Sequence, residues 1–185
     1  MGLTIEDVIK TRRTVHLYEP VEIDDSLLMK FLEAGHFAPN HKLTWPWRFT
    51  VVGEEARKRI ADRAVELKSD GRTLAPVQEA KIREKILNPS ALVVVSQIRT
   101  DNDFQAKEDY AAVACAIQNI SLLAHAHGWG TKWSTGGITR DNNSYSAAGV
   151  DVEVEEIVGF LWVGKAKVTP SIKRPEFATL CRKVP

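Results

Sequence analysis

From Phe104 to His127 the chain runs without a glycine or a proline, and Tyr110, Val113, Ala114, Ile117, Ile120, Leu123 and Ala124 recur at helical spacing. At ~1.5 Å per residue such a helix exceeds about 30 Å, the width of a small domain, so the other elements have to be arranged along it. Ala111, Ala112, Ala114 and Ala116 widen its apolar surface beyond one stripe, which predicts burial on more than one side or packing against a second copy of itself. Gly128 ends the run.

A second constraint is the apolar stretch Ala91 to Ile98, uninterrupted from Ala91 to Val95 and with three consecutive valines, which predicts a central strand buried on both faces. Trp47 to Val52, Trp129 to Thr135 and Val154 to Val163 read as further strands, the second leading into a tight turn at Gly136-Gly137. Helices are expected over Thr4 to Arg13, where Thr4 and Asp7 have the spacing of a capping box, and from Asp24-Asp25 through Leu27, Leu28, Phe31 and Leu32 to a stop before Pro39. Helical spacing returns from Glu54 through Ile60, Ala64 and Leu67 until Ser69 to Arg72 break it. The charged stretch Val77 to Leu87 reads as a surface helix, with the 70–88 segment a candidate flap. These elements predict one α+β domain over residues 1–185, with a basic tail from about 168 onward that wraps along something.

The balance of charge narrows the function. Lys plus Arg number 25 against 24 Asp plus Glu, which gives no electrostatic reason to expect a nucleic acid. The longest apolar run is far short of the ~20 residues that cross a bilayer, and the N-terminus lacks the basic-then-apolar order of a signal peptide. Two cysteines without C-x-x-C spacing suit a reducing compartment, so a cytoplasmic enzyme is expected, and Cys115 on the small-residue helix is expected to be buried and inert. His125 and His127 lie two apart on that helix, about 200° around it, and cannot share one metal ion.

Four short motifs remain. Arg12-Arg13-Thr14-Val15 closes the first helix, and Ala34-Gly35-His36-Phe37-Ala38-Pro39-Asn40-His41-Lys42 leads into Trp45-Pro46-Trp47-Arg48-Phe49. Gly128-Trp129-Gly130-Thr131-Lys132-Trp133-Ser134-Thr135-Gly136 follows the long helix, and Ile157-Val158-Gly159-Phe160-Leu161-Trp162-Val163-Gly164 forms the last strand. In order and spacing these resemble the motifs of the nitroreductase family, and the Ala-Pro-Asn-His-Lys segment and short length resemble its minimal bacterial subgroup. His16 departs from the family's pattern at the edge of the first motif.

The resemblance implies a three-layer α/β/α sandwich with a small, mostly antiparallel sheet and the long helix at a dimer interface. It also implies FMN as cofactor, NAD(P)H as co-substrate, and ping-pong reduction of nitro compounds, quinones or similar small acceptors. A non-catalytic flavin binder, or a flavin-dependent dehydrogenase or oxidase, is the alternative on the same fold. No catalytic side chain is named, because the cofactor carries the chemistry.

Arg12, Arg13 and Thr14 would meet the flavin through guanidinium forks and a hydroxyl. Phe37 and His41 would reach a flavin held mainly by the other subunit, so the sites would be shared across a homodimer. Trp133, Ser134 and Thr135 would line the ring or ribityl chain, and Lys173 would add a second phosphate-binding cation. The plainer alternatives are a basic helix C-terminus for the arginines, a solvent-facing loop histidine for His41, a hairpin turn for Trp133 to Thr135 and a solvated tail for Lys173. Trp45 and Trp47 can stack a substrate, although core roles suit them better.

Overall fold

The apolar runs dictate the architecture seen in a computed structural model of the chain, which describes residues 2–184. Six α-helices and four strands are present among them. The helices are α1 (Ile5–Thr11), α2 (Asp25–His36), α3 (Glu54–Ser69), α4 (Pro76–Leu87), α5 (Asp103–Ala126) and α6 (Asn142–Ala148). The strands are β1 (Trp47–Val51), β2 (Ala91–Ile98), β3 (Gly130–Ser134) and β4 (Glu155–Gly164), in sheet order β1-β2-β4-β3 with all three pairings antiparallel.

Because successive side chains of a strand point to opposite faces, β2 and β4 each feed two cores. Val93, Val95, Leu161 and Val163 pack with Phe31 of α2 and Val113, Ile117 and Ile120 of α5. Leu92, Val94, Phe160 and Trp162 pack on the other face with Ile60 and Ala61 of α3, Ile86 of α4 and Tyr145 of α6. The result is the three-layer α/β/α sandwich. Each fully buried aliphatic or aromatic side chain contributes about 1.5–3 kcal/mol, so the two cores together supply most of the driving force.

Several expectations are corrected in detail. The Thr4–Asp7 capping box is present, but α1 stops at Thr11, because Arg12 turns to an extended backbone (ψ 132°). Arg12, Arg13 and Thr14 therefore lie beyond the helix. Trp133 and Ser134 lie in edge strand β3, inside the stretch expected as a strand, and the turn expected at Gly136-Gly137 is a 3-10 turn over Gly137–Thr139, so it is the hairpin-turn alternative for Trp133 to Thr135 that is set aside. Cys115 is exposed: it lies on the outer side of α5, whose inner side is filled by Ala112, Val113, Ala116 and Ile117. The stretch expected as a flap contains α4, whose C-terminal carbonyls at Ile86 and Leu87, with Pro89 beyond, accept hydrogen bonds from Arg57 of α3. Met1 and Pro185, at the two ends of the expected domain, lie outside the described residues.

Two ties fix the segments around the sheet. Thr14 forms a parallel bridge to Thr131, and the Val15 N–H donates to the Thr131 carbonyl at 3.0 Å, so the segment after α1 runs beside β3. This approach needs Gly130, where an added Cβ would stand 2.3 Å from Val15 Cγ2. On the opposite layer Arg63 of α3 donates to both carboxylate oxygens of Asp141 at 2.8 and 2.5 Å, and Asp141 caps α6 through the Ser144 N–H. Those bonds hold the Asp141 carboxyl down at about 2.

Gly130→Ala should lower stability by about 1–3 kcal/mol in urea unfolding, because buried Val15 has no free volume into which to retreat. An unchanged midpoint would mean that the seam is loose. Because the Asp141 carboxyl is depressed on folding, its contribution is complete above its ordinary value near 4 and is lost as pH falls toward 2. Asp141→Asn keeps a capping side chain but loses the charge, so it should cost about 1–2 kcal/mol at neutral pH. Its stability should also fall less steeply than that of the parent between pH 4 and 2 in thermal melts.

Candidate functional site

The seam between the N-terminal segment and β3 brings two of the sequence motifs together although they are far apart in the chain. Arg12 is half-buried, and its guanidinium pKa is pushed down first by that burial, then by the positive charges of Arg174 and Arg13. Arg13 lends one nitrogen to the Lys10 carbonyl at 2.6 Å and the Arg12 carbonyl at 2.9 Å, closing the end of α1. Among the described residues no carboxylate lies within 4.0 Å of Arg12, Arg13 or Arg174. His125 lies beside this group, bonded to the Thr11 hydroxyl at 2.8 Å, and burial followed by the arginine charges lowers its pKa. His127 instead stacks on Phe31 at 5.6 Å, so the two histidines serve different neighbours.

Strand β3 is a sheet edge, and its outer rim is part of the same site. The Thr131 carbonyl faces outward to Val15. By the two-residue alternation of an antiparallel edge, the N–H and C=O groups of Trp133 face outward too, away from β4, and Thr135 follows the end of the strand. The Trp133 side chain lies over Gly159, where an added Cβ would come within 2.2 Å of its Nε1. Its indole N–H donates to the Val158 carbonyl at 3.4 Å, beside the irregularity in the β2–β4 register, and its ring lies 6.4 Å from that of Tyr110 on α5. Ser134 is half-buried and Thr135 exposed. A cleft of about 410 Å³ opens at Thr135, with Tyr110, Arg140, Tyr145 and Val158 in its wall.

Phe37 and His41 occupy a different part of the subunit. Phe37 follows α2 and is 75% exposed, and the His41 imidazole lies 3.8 Å from Glu108 of α5. Their ring and ionic contacts run to His36 and Glu108, and among the described residues none runs to the Arg12–Thr14 seam. Trp47 is buried as expected, whereas Trp45 is 45% exposed, tilted against His36, and lines a second cleft of about 430 Å³ beside β1. The core role expected for Trp45 is thus corrected, because its backbone turns left-handed (φ 48°) before β1 begins.

Lys173 is exposed, and its neighbour Arg174 is the residue whose charge reaches Arg12. Sequence spacing did not separate the two. Residues 171–184 are exposed throughout, with Phe177 and Leu180 among them. No helix among the described residues is long and apolar enough to cross a membrane.

The fold agrees with that of known proteins. The model of the nitroreductase family matches residues 9–165. Two curated relatives carry the name "Putative NAD(P)H nitroreductase". YfhC of Bacillus subtilis is 27% identical over 92% of this chain and 88% of its own, and YdjA of Escherichia coli K12 is 29% identical over 93% and 94%. The structure of a nitroreductase-like family protein from Bacillus cereus superposes with a TM-score of 0.84 at 28% identity, covering 100% of this chain and 97% of that one. A Desulfovibrio desulfuricans protein solved in complex with FMN shares the fold at 21% identity, with a TM-score of 0.80 over 100% of this chain and 99% of its own. With a family model matching residues 9–165, most of its length, this chain belongs to the nitroreductase family.

Proposed function

We propose that the chain is an FMN-dependent oxidoreductase that takes electrons from NAD(P)H and delivers them by a ping-pong mechanism to a small acceptor such as a nitro compound or a quinone. The observation that carries this reading is the set of guanidinium groups at Arg12, Arg13 and Arg174, which among the described residues has no carboxylate partner within 4.0 Å and stands beside an edge strand with outward backbone groups. Half-buried Arg12, with the positive charges of Arg174 and Arg13 acting on it, is an anion site in waiting, and a dianionic phosphate ester would relieve that repulsion. Arg12 and Arg174 would bind the phosphate with the Thr14 hydroxyl beside them. Arg13, half engaged at the end of α1, and the exposed Lys173 would add charge. The outward N–H and C=O groups of Trp133, with the Ser134 and Thr135 hydroxyls, would meet the polar ribityl chain and ring edge.

When bound, the flavin supplies the hydride and electron chemistry. The protein's own part is to fix the ring, exclude water and set charge at its edge. Nothing in this site calls for a side chain that exchanges a proton with substrate.

We further propose a homodimer with shared sites. The outer side of α5 exposes Phe104, Ala111, Cys115 and Gln118, and the tail from about 168 carries exposed Phe177 and Leu180, both suited to packing on a second subunit. In that arrangement Phe37 and His41 of the partner subunit would complete each flavin site. Its solution mass would be twice the 20.7 kDa of the chain in light scattering, and a flavin-loaded monomer would refute the shared site.

Arg12→Gln and Arg174→Gln should each weaken FMN binding about 10- to 100-fold in a fluorescence titration, as expected for loss of a charged hydrogen bond worth about 1.5–3 kcal/mol. Visible absorbance followed anaerobically separates the readings. Bound flavin that bleaches rapidly with NADH or NADPH and recovers with a nitro compound or quinone supports the oxidoreductase. Flavin that stays oxidised indicates a binder, bleaching by an organic substrate alone indicates a dehydrogenase, and a chain that cannot be loaded with flavin overturns the proposal.

A further inference from the structure

The loop from Asn40 to Trp45 holds three non-glycine residues in the left-handed region within four positions: Lys42 (φ 57°), Leu43 (φ 52°) and Trp45 (φ 48°). Each such residue costs on the order of 1 kcal/mol or more, so the loop keeps this shape only where other contacts enforce it. Those contacts form one chain. The Asn40 amide nitrogen donates to the His41 carbonyl at 3.2 Å and to the Thr44 hydroxyl at 3.0 Å, and its oxygen accepts the Trp45 N–H at 2.7 Å. Thr44 in turn donates to Asp109 Oδ1 on α5 at 2.6 Å.

Asp109 is an unusual anchor. It is 3% exposed in the wall of the spine helix, and its described hydrogen-bond donors, Thr44 and Gln105 (3.4 Å), are both neutral. A buried carboxylate without a cation is costly compared with an apolar side chain at the same place. What it supplies is a strong acceptor at one fixed height on α5, and that acceptor holds a strained loop. On either side of this network stand Phe37 and His41, both largely exposed, with His41 also 3.8 Å from Glu108 on the same helix.

We propose that Asp109, acting through Thr44 and Asn40, is a positioning residue for the flavin site: it holds the 37–45 segment in the conformation that presents Phe37 and His41 to the second subunit. This rests on the shared-site reading given above. It also makes α5 the common support of the outward dimer surface and of the loop, so that the loop is placed relative to the interface by a single helix.

The test uses the full chain and FMN itself. Asp109→Ala and Thr44→Val cut the same hydrogen bond from opposite ends, and each should weaken FMN binding about tenfold. Asp109→Asn, whose amide oxygen accepts the same bond, should recover most of the loss. In a His41→Ala, Phe37→Ala background, Asp109→Ala should add less than about twofold, because the groups it positions are gone. The circular dichroism of each variant shows that it is folded.

If His41→Ala and Phe37→Ala weaken FMN binding while Asp109→Ala and Thr44→Val lower only the melting temperature, Asp109 is structural and the proposal is overturned. It is also overturned if FMN binds but is indifferent to Phe37 and His41, whereas a chain that binds no FMN at all removes the flavin reading itself.

Discussion

Strand β2 has seven of its eight residues buried, and its antiparallel neighbour β4 has eight of ten. A strand buried on both faces demands a helical layer on each side, and that demand organises everything else in the subunit. With both faces covered, a ligand has access only to the sheet's edges and to the ends of the strands. Edge strand β3 receives the Arg12–Thr14 segment, and edge strand β1 is preceded by the strained loop of His41 to Trp45. The residues assigned to chemistry sit at these margins because the centre has no room for them.

The arginines show how packing separates structural from available charge. Arg57 is spent on the carbonyls that close α4, Arg63 on Asp141 and Glu66, and Arg83 on Asp62 and Glu79. Arg48 bonds the carbonyls of Trp45 and Trp47. Arg12 and Arg174, among the described residues, have neither kind of partner, and Arg12 is burdened by its own burial and then by the charge of Arg174. In sequence all six are cations of one type; only the fold distinguishes those already satisfied from those still able to bind an anion.

The long helix and β2 were legible because their apolar content leaves one way to be buried, and the three layers follow from them. Helix α6 was not. Asn142 to Ala148 has little intrinsic helical preference, and it forms because Asp141 caps it, Arg63 holds that cap, and buried Tyr145 accepts the Ile157 N–H at 2.9 Å. At the candidate site, the motif residues were legible as a set of cations, hydroxyls and aromatics, yet the pairing of Thr14 with Thr131 and the reach of Arg174 to Arg12 are long-range facts that no local pattern encodes. The Asn40–Thr44–Asp109 chain was invisible for the same reason, since an aspartate on a helix reads as solvated until its burial is seen. Trp45 misled because its composition argued for the core while its backbone turned it outward.

The sheet order has a bearing on assembly. Strand β3 is synthesised before β4, yet among the described residues β4 is the one strand paired with it in the sheet, and its other edge is met by a segment more than a hundred residues earlier. Contacts of such sequence separation carry a large loop-closure cost and form late in folding. While the ribosome is still making β4, β3 has no strand beside it and the Arg12 segment has no completed rim to lie along. The seam between the Arg12 segment and β3 is therefore among the last parts of the subunit to form, so a nascent chain cannot capture a ligand there early and must fold first.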